Sequence, residues 1–136
     1  MIHFMSEEFD HEQIYYKVTN RSECHDGYQY HDGLNHLNEP FAKNGSGVLG
    51  GLYFTDIAHI SHFFYNSVYV RKIRIPYGSQ VVKDGSDKWR TDQLWFGQRW
   101  GIEEFIRHHA NYWDVSDWCR IWRCTDLSEA FFREFD

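Results

Sequence analysis

The stretch from residue 50 to residue 76, GGLYFTDIAHISHFFYNSVYVRKIRIP, has the clearest pattern in the chain and decides the predicted fold. Gly50 and Gly51 indicate a mobile loop, and the apolar run from Leu52 to Phe54 is typical of a short buried strand. Thr55 is suited to cap a following helix. The spacing of the apolar side chains predicts that helix, and a second strand follows it; the residues concerned are Ile57, Ile60, Phe63 and Phe64 for the helix and Val68 to Ile75 for the strand.

Further strands are predicted on both sides of this block. Ile14 to Thr19 and Gly27 to Tyr30 are rich in β-branched and aromatic residues, and the two runs could pair as neighbours. The Asp32-Gly33 turn closes the second run, and 34 to 51 has the composition of a long loop. The later strands are separated by turns, which favours an antiparallel sheet; they are predicted at Gln80 to Lys83, Lys88 to Arg90 and Leu94 to Phe96.

The C-terminal third, residues 98–136, has a helical pattern. Ile102, Phe105, Ile106 and His109 recur at helical spacing and predict an amphipathic helix over 102–112. A second helix is expected around Val115 to Trp122. Thr125 could cap a third helix with an apolar stripe at Leu127, Phe131 and Phe135. Strands followed by helices predict one α+β domain over 1–136, with a mostly antiparallel sheet, one central helix and a helical C-terminal third.

Composition excludes several classes of partner. The 136 residues include 14 Lys and Arg against 20 Asp and Glu, a net charge of −6 that disfavours binding to nucleic acid or to acidic membranes. The basic cluster Arg71-Lys72-Arg74 is interpreted as the solvated face of a strand. Three cysteines and no secretory leader predict a reducing compartment rather than secretion. The apolar run from Val48 to Phe54 is too short to span a bilayer, so the protein is expected to be soluble.

Metal and nucleophile sites have only weak support in the sequence. His59 and His62 lie three apart on the central helix, and Cys119 and Cys124 could join His108 or His109 around zinc. The two cysteines are five apart, however, whereas zinc ligand pairs are usually closer. Cys24 and His25 are adjacent on a strand and should point to opposite faces, which disfavours a catalytic pair. No metal and no cofactor are predicted.

Aromatic residues form 19% of the chain and suggest a contact surface. The sequence crowds Trp113, Trp118, Trp122 and Phe132 into so short a span that we do not expect all four to point inward. An exposed patch of such rings exceeds what a monomer normally tolerates, and two-fold self-association is the commonest way to cover it. We therefore expect these residues to bind a viral or host protein or, most simply, a second copy in a homodimer. The alternative is that the rings fill a wide, shallow core.

Several short motifs in a fixed order resemble an uncharacterised module of giant DNA viruses of the mimivirus kind, which commonly precedes ankyrin repeats. The resemblance covers 14–97, whereas 98–136 contains no ankyrin repeat. It implies a viral protein that acts in the cytoplasm of the infected cell or in the virion. The motifs are Tyr16 to Asn20, Cys24 to Tyr30, Asp32 to Asn35, Pro40-Phe41, Gly50 to Asp56, Arg71 to Pro76 and Lys88 to Arg90.

The central block is also similar, more faintly, to the glycine, tyrosine, phenylalanine and aspartate segment of poly(ADP-ribose) polymerases and their relatives. That resemblance implies that Tyr53 or Tyr65 would stack on nicotinamide and that His25 would contact the ribose. The catalytic glutamate of such enzymes has no counterpart, because Glu103 and Glu104 fall in a predicted helix. The two hypotheses are therefore a non-enzymatic protein-interaction module and an ADP-ribosyltransferase-like enzyme or its inactive descendant.

Overall fold

The computed structural model describes residues 9–42 and 50–135. Part of the predicted 34 to 51 loop, and the start of the apolar run at Val48, lie outside the described residues. The strands are β1 (Tyr15–Thr19), β2 (Cys24–His25), β3 (Tyr28–Gln29), β4 (Gly33–His36), β5 (Leu52–Phe54), β6 (Tyr69–Arg74), β7 (Val81–Asp84), β8 (Lys88–Thr91) and β9 (Gln93–Gly101). The helices are α1 (Ile102–His108), α2 (Val115–Cys124) and α3 (Glu129–Arg133), with 3-10 turns at Ile60–Phe63 and Ala110–Tyr112.

The strands form two main antiparallel sheets and one short hairpin. A four-stranded sheet has the order β1-β6-β9-β4, a three-stranded sheet has the order β5-β8-β7, and β2 pairs with β3. Tyr16 and Thr55 link the two main sheets by exchanging backbone hydrogen bonds of 2.8 and 2.9 Å. The predicted α+β class with a mostly antiparallel sheet is confirmed.

The four-stranded sheet separates two hydrophobic cores, because side chains alternate between the faces of a strand. On β1, Tyr15 enters a first core between the two sheets, whereas Tyr16 and Val18 pack against a second core on the opposite face. The helices cover that second face. Ile60, Phe105, Ile106 and Ile121 are 0% exposed there, so the helical third packs its apolar side chains against the sheet.

A β-bulge in β9 allows one strand to serve both cores. Arg71 lies opposite Arg99 and Ile73 lies opposite Phe96, so Gly97 and Gln98 together face Lys72. The extra residue reverses the alternation, which lets Phe96 enter the first core and Trp100 pack against the second. A Cβ atom on Gly97 would lie 3.1 Å from the carbonyl oxygen of Lys72, which explains glycine at this position.

Two buried ion pairs lie within the sheets. The Arg71 guanidinium donates to both carboxylate oxygens of Glu23, at 2.8 and 2.7 Å, and both side chains are less than 10% exposed. Arg90 donates to Asp84 over 2.9 Å and is almost fully buried. The interpretation of Arg71 as part of a solvated strand face is therefore wrong. Strand alternation turns Arg71 inward, where the paired carboxylate compensates its charge.

The structure corrects several predicted elements. The central helix is only the 3-10 turn Ile60–Phe63, and the Thr55 hydroxyl donates to the carbonyl oxygen of Asp87 over 2.6 Å instead of capping that turn. The two N-terminal runs do not pair with each other, because β1 pairs with β6 and β3 pairs with β2. Strand β4 falls in the predicted loop. Helix α1 ends at His108 rather than 112, and Ser128 rather than Thr125 caps α3.

Candidate protein-interaction surface

Helix α2 is fixed in position at its first turn. The Asp114 side chain accepts a hydrogen bond from the Asp117 backbone N–H at 2.8 Å, and the Asp117 side chain accepts one from the Asp114 N–H at 3.1 Å. This reciprocal capping satisfies donors that the helix itself leaves free. The Ser61 hydroxyl donates to Asp117 over 2.6 Å and ties the helix to the 3-10 turn beneath it. Ile121 points into the second core, so the opposite face of α2 is turned outward.

Helix α3 packs beside α2 through aromatic rings. The Ser128 side chain accepts a hydrogen bond from the Phe131 N–H at 3.1 Å, and Phe131 is buried in the second core. On the outer side, Phe132 contacts the Trp122 ring with a centroid distance of 4.8 Å, and Phe135 contacts Trp118 at 5.0 Å. The two short helices therefore present facing rings at the protein surface.

An open groove of about 730 Å³ runs between α2 and α3. We call it the aromatic groove. Trp122 is 59% exposed and Val115 is 80% exposed at its rim, although both side chains are large and apolar. Of the residues that the structure describes, Arg123 is the one charged residue that lines it, and no acidic residue does. The lining residues are Val115, Trp118, Cys119, Trp122, Arg123, Phe132 and Phe135.

The structure places three of the four predicted contact residues in this groove. Trp118, Trp122 and Phe132 line it, whereas Trp113 does not. Trp113 is only 7% exposed, its Nε1 donates to the carbonyl oxygen of Ile106 at 3.0 Å, and its ring packs in the second core. Trp113 lies before the capped start of α2 and is directed inward, so crowding in sequence does not imply a shared face.

The sequence pattern placed Phe135 in one apolar stripe with Leu127 and Phe131, and it did not mark Val115 as a contact residue. Helix α3 is only five residues long, so the stripe does not continue on one face: Phe131 is buried, whereas Phe135 turns to the groove. The available signal for Val115 was its position on α2, because Val115, Cys119 and Trp122 are spaced by four and three residues. That spacing predicts a common outer face opposite Ile121.

The residues implied by the transferase resemblance are brought together only in part. His25 and Tyr53 line one cavity of about 20 Å³, together with Lys17, whereas Tyr65 lies outside it and is 72% exposed. Such a volume holds about one water molecule. Burial, followed by the nearby charge of Lys17, lowers the pKa of His25 to about 4, so the imidazole is neutral near pH 7. Glu103 and Glu104 lie on α1 and pair with Arg107.

The two histidines considered as metal ligands in the central block each pair with a carboxylate. His59 pairs with Asp56 at 2.7 Å and His62 pairs with Asp87 at 3.0 Å. Cys119 lies exposed on the outer face of α2, and Cys124 ends the same helix. Within residues 9–42 and 50–135, no three His, Cys, Asp or Glu side chains are grouped as metal ligands. In the same ranges, no helix has the length and apolar character needed to cross a bilayer.

Comparison with known proteins links the chain to mimivirus. A protein of Acanthamoeba polyphaga mimivirus named as an ankyrin repeat protein is 37% identical over 91 residues, which cover 62% of this chain and 45% of the relative. A second protein so named is 32% identical over 108 residues, covering 68% and 35% of the two chains. An uncharacterised mimivirus protein is 40% identical over 66 residues, covering 47% and 48%.

This chain spans less than half the length of these relatives. No family model matches it, and no solved structure matches it. The resemblance to a giant-virus module is thus supported by homologous mimivirus proteins of unknown function, whereas none of the comparisons shows the resemblance to ADP-ribosyltransferases.

Proposed function

We propose that the protein is a non-enzymatic interaction module that acts in the infected cell, in its cytoplasm or in the virion, and that its aromatic groove binds a second copy of the chain. The observation that carries the proposal is the groove itself. It exposes Trp122 and Val115 beside half-buried Trp118, Phe132 and Phe135. Tryptophan and other aromatic side chains contribute most to protein interfaces when they become fully desolvated.

A partner bound in this groove would bury apolar surface that is otherwise exposed to water. Each buried Å² of apolar surface contributes roughly 25 cal/mol, and large side chains such as Trp122 therefore provide most of the gain. The cost of association lies in lost rigid-body freedom and in ordered side chains. The groove residues are already ordered by capping at Asp114 and Ser128 and by contacts among the rings. A preorganised surface loses less entropy when it binds.

Charge at the end of the groove favours a second copy as the occupant. Arg123 lines the groove near the C-terminal end of α2, and the exposed Asp114 caps the N-terminal end; within the described ranges, Arg123 is in no ion pair with another residue. In a two-fold contact, residue i of the first copy contacts residue j of the second, and residue j of the first contacts residue i of the second. Two antiparallel α2 helices that meet at Cys119 would thus bring the Arg123 of each copy toward Asp114 and Val115 of its partner, and the groove would cover itself.

Light scattering over a concentration series tests the proposal. The wild-type protein is expected to rise from 16.5 kDa toward twice that mass with concentration. Trp122→Ser should abolish the rise, because it removes the most exposed ring of the groove. Tyr65→Ser is the matched control, since Tyr65 is 72% exposed but lies away from the groove. A mass that stays at the monomer value, or a rise that both variants lose, contradicts a dimer through this groove.

Cys119 offers a second readout of the same contact, because it lies in the groove and is exposed. Mild oxidation of a two-fold dimer through α2 is expected to join the two Cys119 thiols as a disulfide, the added oxidant accepting the two hydrogens. A covalent dimer should form on a non-reducing gel and disappear in Cys119→Ser. Covalent dimer that persists in this variant would indicate random pairing through the other cysteines. Monomeric protein that still captures a defined viral or host protein through Trp122 would point to a different partner.

One observation supports the alternative of a transferase-like enzyme or its inactive descendant: His25 and Tyr53 line the same cavity. Its volume of about 20 Å³ is far below that of a nicotinamide ring, since even benzene occupies a cavity of about 150 Å³. We therefore expect no micromolar binding of nicotinamide adenine dinucleotide by calorimetry. Saturable binding that Tyr53→Ala weakens without unfolding the protein would favour the enzyme.

A further inference from the structure

A second cavity lies where the two main sheets separate. Beyond the Tyr16 and Thr55 bridge, β1 and β5 diverge and leave a cavity of about 60 Å³ that is open to solvent on one side. Its walls are largely apolar and include Val18, Tyr53, Phe54 and Phe63. Among the described residues, the charged side chains that line it are Lys17 and Lys88, and no acidic one does.

Lys17 is an unusual buried cation. It is 8% exposed, its Nζ donates to the carbonyl oxygen of Tyr53 at 2.8 Å, and it lies 4.9 Å from the centre of the Tyr30 ring. Among residues 9–42 and 50–135, no carboxylate forms an ion pair with it. Arg71 and Arg90, by contrast, are each paired with a buried carboxylate. The charge of Asp26 acts on Lys17 without forming an ion pair, whereas a buried charge is normally in direct contact with a counter-charge.

Two further donors face the same space. Lys88 lines the cavity and its Nζ lies 4.9 Å from the centre of the Tyr53 ring. The backbone N–H of Tyr16 donates across the gap to Thr55. Because strands repeat every two residues, the N–H of Val18 points to the same side, where β5 has moved away. Lys17, Lys88 and Val18 all line the cavity, and two ammonium groups with a backbone N–H are donors suited to an anion.

We propose that this cavity binds a small carboxylate, either a free short-chain acid or a carboxylate side chain of another protein. Lys17 and Lys88 would hold the two oxygens, and the aromatic and aliphatic walls would contact the hydrocarbon part. The volume of about 60 Å³ accommodates only a few heavy atoms, well below the roughly 150 Å³ that benzene occupies. The apolar walls favour a carboxylate over phosphate, whose additional oxygens would lack donors.

The environment of Lys17 gives the binding a defined pH dependence. Burial is the main cause that lowers the pKa of Lys17 from 10.5 to about 8; Asp26 raises it and Lys88 lowers it. Asp26 lines the neighbouring cavity that Lys17 shares, together with His25 and Glu39. The ammonium is therefore mostly charged at pH 7, and carboxylate affinity is expected to fall as the pH rises above 8. Binding held by Lys88 alone would persist to higher pH.

A titration followed by amide NMR tests the site, with sodium acetate and propionate added at constant ionic strength. We expect saturable shifts at Val18, Tyr53 and Phe54, and no such saturation with chloride or inorganic phosphate. Lys17→Met should weaken the binding about tenfold or more. Because this change could also disturb the fold, Lys88→Met provides an independent test at a partly exposed site, and Lys83→Met is the control at an exposed lysine outside the cavity.

The results distinguish the alternatives directly. Tighter binding of acetate than of N-acetyl-aspartate N-methylamide identifies a free acid as the ligand, and the reverse identifies a protein side chain. Equal responses to acetate and chloride would overturn the proposal. So would an equal loss of affinity in Lys83→Met and Lys88→Met, or an affinity that does not change between pH 7 and 10.

Discussion

The first core, between the two sheets, and the C-terminal helical third are both rich in aromatic residues. The rings are buried in the first region and partly exposed in the second. Between the sheets, Phe9, Tyr15 and Phe54 are each at most 7% exposed, and Tyr30 stacks on Phe96 at 4.8 Å. In the helical third, Trp122 is 59% exposed. The difference lies in the number of covering layers. Rings between the sheets are covered from both sides, whereas α2 and α3 form an outermost layer with only the second core beneath them.

The comparison shows that aromatic content alone does not distinguish a core from a contact surface. What matters is whether another element covers the ring. Within the helical third itself, Trp113 is covered by other elements and Trp122 is not. Trp113 lies just before α2, and Trp122 belongs to α2. Variants at matched covered and uncovered positions therefore test the comparison.

The largest effect is expected at Trp113. Trp113→Ala removes a ring that is 7% exposed and leaves the Ile106 carbonyl without its indole donor, so the free energy of unfolding should fall by about 3–5 kcal/mol. Tyr112→Ala is the matched control, because the adjacent Tyr112 is 65% exposed; its cost should stay below about 1 kcal/mol. Urea denaturation measures both. Similar costs for the two variants would contradict the assignment of Trp113 to the core.

The buried ion pair should have the next largest effect. Glu23→Gln leaves the Arg71 guanidinium buried without its full counter-charge and should cost about 3 kcal/mol, whereas Glu129→Gln, in an exposed pair with Arg133, should cost less than about 1 kcal/mol. Burial raises the pKa of Glu23, but hydrogen bonds from Arg71 and Thr19 outweigh it and the pKa is lowered.

The lowered pKa of Glu23 determines how the free energy of unfolding changes at acidic pH. A carboxylate whose folded pKa is depressed stabilises the fold above its unfolded pKa, and that contribution is lost as the pH falls through the folded value. The difference between wild type and Glu23→Gln should therefore be constant near neutrality and shrink below about pH 4.5. A difference that grows in acid would show that Glu23 does not act as the paired carboxylate.

A smaller effect, of opposite sign, is expected at Lys17. Its folded pKa of about 8 lies below the ordinary 10.5, so the native state binds fewer protons than the unfolded state between these values. The contribution of Lys17 to the free energy of unfolding therefore rises by about 2 kcal/mol between pH 7 and 10. Lys17→Met should lack that rise. Chemical denaturation at pH 7, 8, 9 and 10 compares the two proteins, and parallel curves would exclude a buried ammonium at this position.

The sequence predicted an element correctly where the spacing of its apolar residues matches their burial in the fold. The alternation at Ile14 to Thr19 and in 68–75, and the spacing at Ile102, Phe105 and Ile106, predicted elements that the structure contains. Prediction failed where tertiary contacts decide. The 3-10 turn at Ile60–Phe63 is too short to carry the predicted helical period, because Thr55 is used to bridge the sheets rather than to cap a helix. Arg71 and Lys17 are polar residues turned inward by strand alternation.

The candidate surface was predictable in part for the same reason. Trp118 and Trp122 lie four residues apart on the predicted second helix, and Phe132 lies on the predicted third helix. The sequence could therefore predict that these three residues form one group. Trp113 could not be separated from them, since its direction depends on the 3-10 turn Ala110–Tyr112 and on the cap at Asp114. The cavity beside Lys17 had no sequence signal, because it results from the divergence of β1 and β5.

The smallest effect on folding is expected at Trp122, and it completes the comparison. Trp122 contributes little to the monomer because it is 59% exposed, so Trp122→Ser should change the unfolding free energy of dilute protein by no more than about 0.5 kcal/mol. The wild-type melting temperature should nonetheless rise with protein concentration, because association stabilises the folded state by mass action. In Trp122→Ser that dependence should vanish, while Tyr65→Ser should retain it. Calorimetric melting of the three proteins over a hundredfold concentration range decides the matter: if Trp122→Ser lowers the melting temperature at every concentration by the same large amount, Trp122 belongs to the fold rather than to an interface.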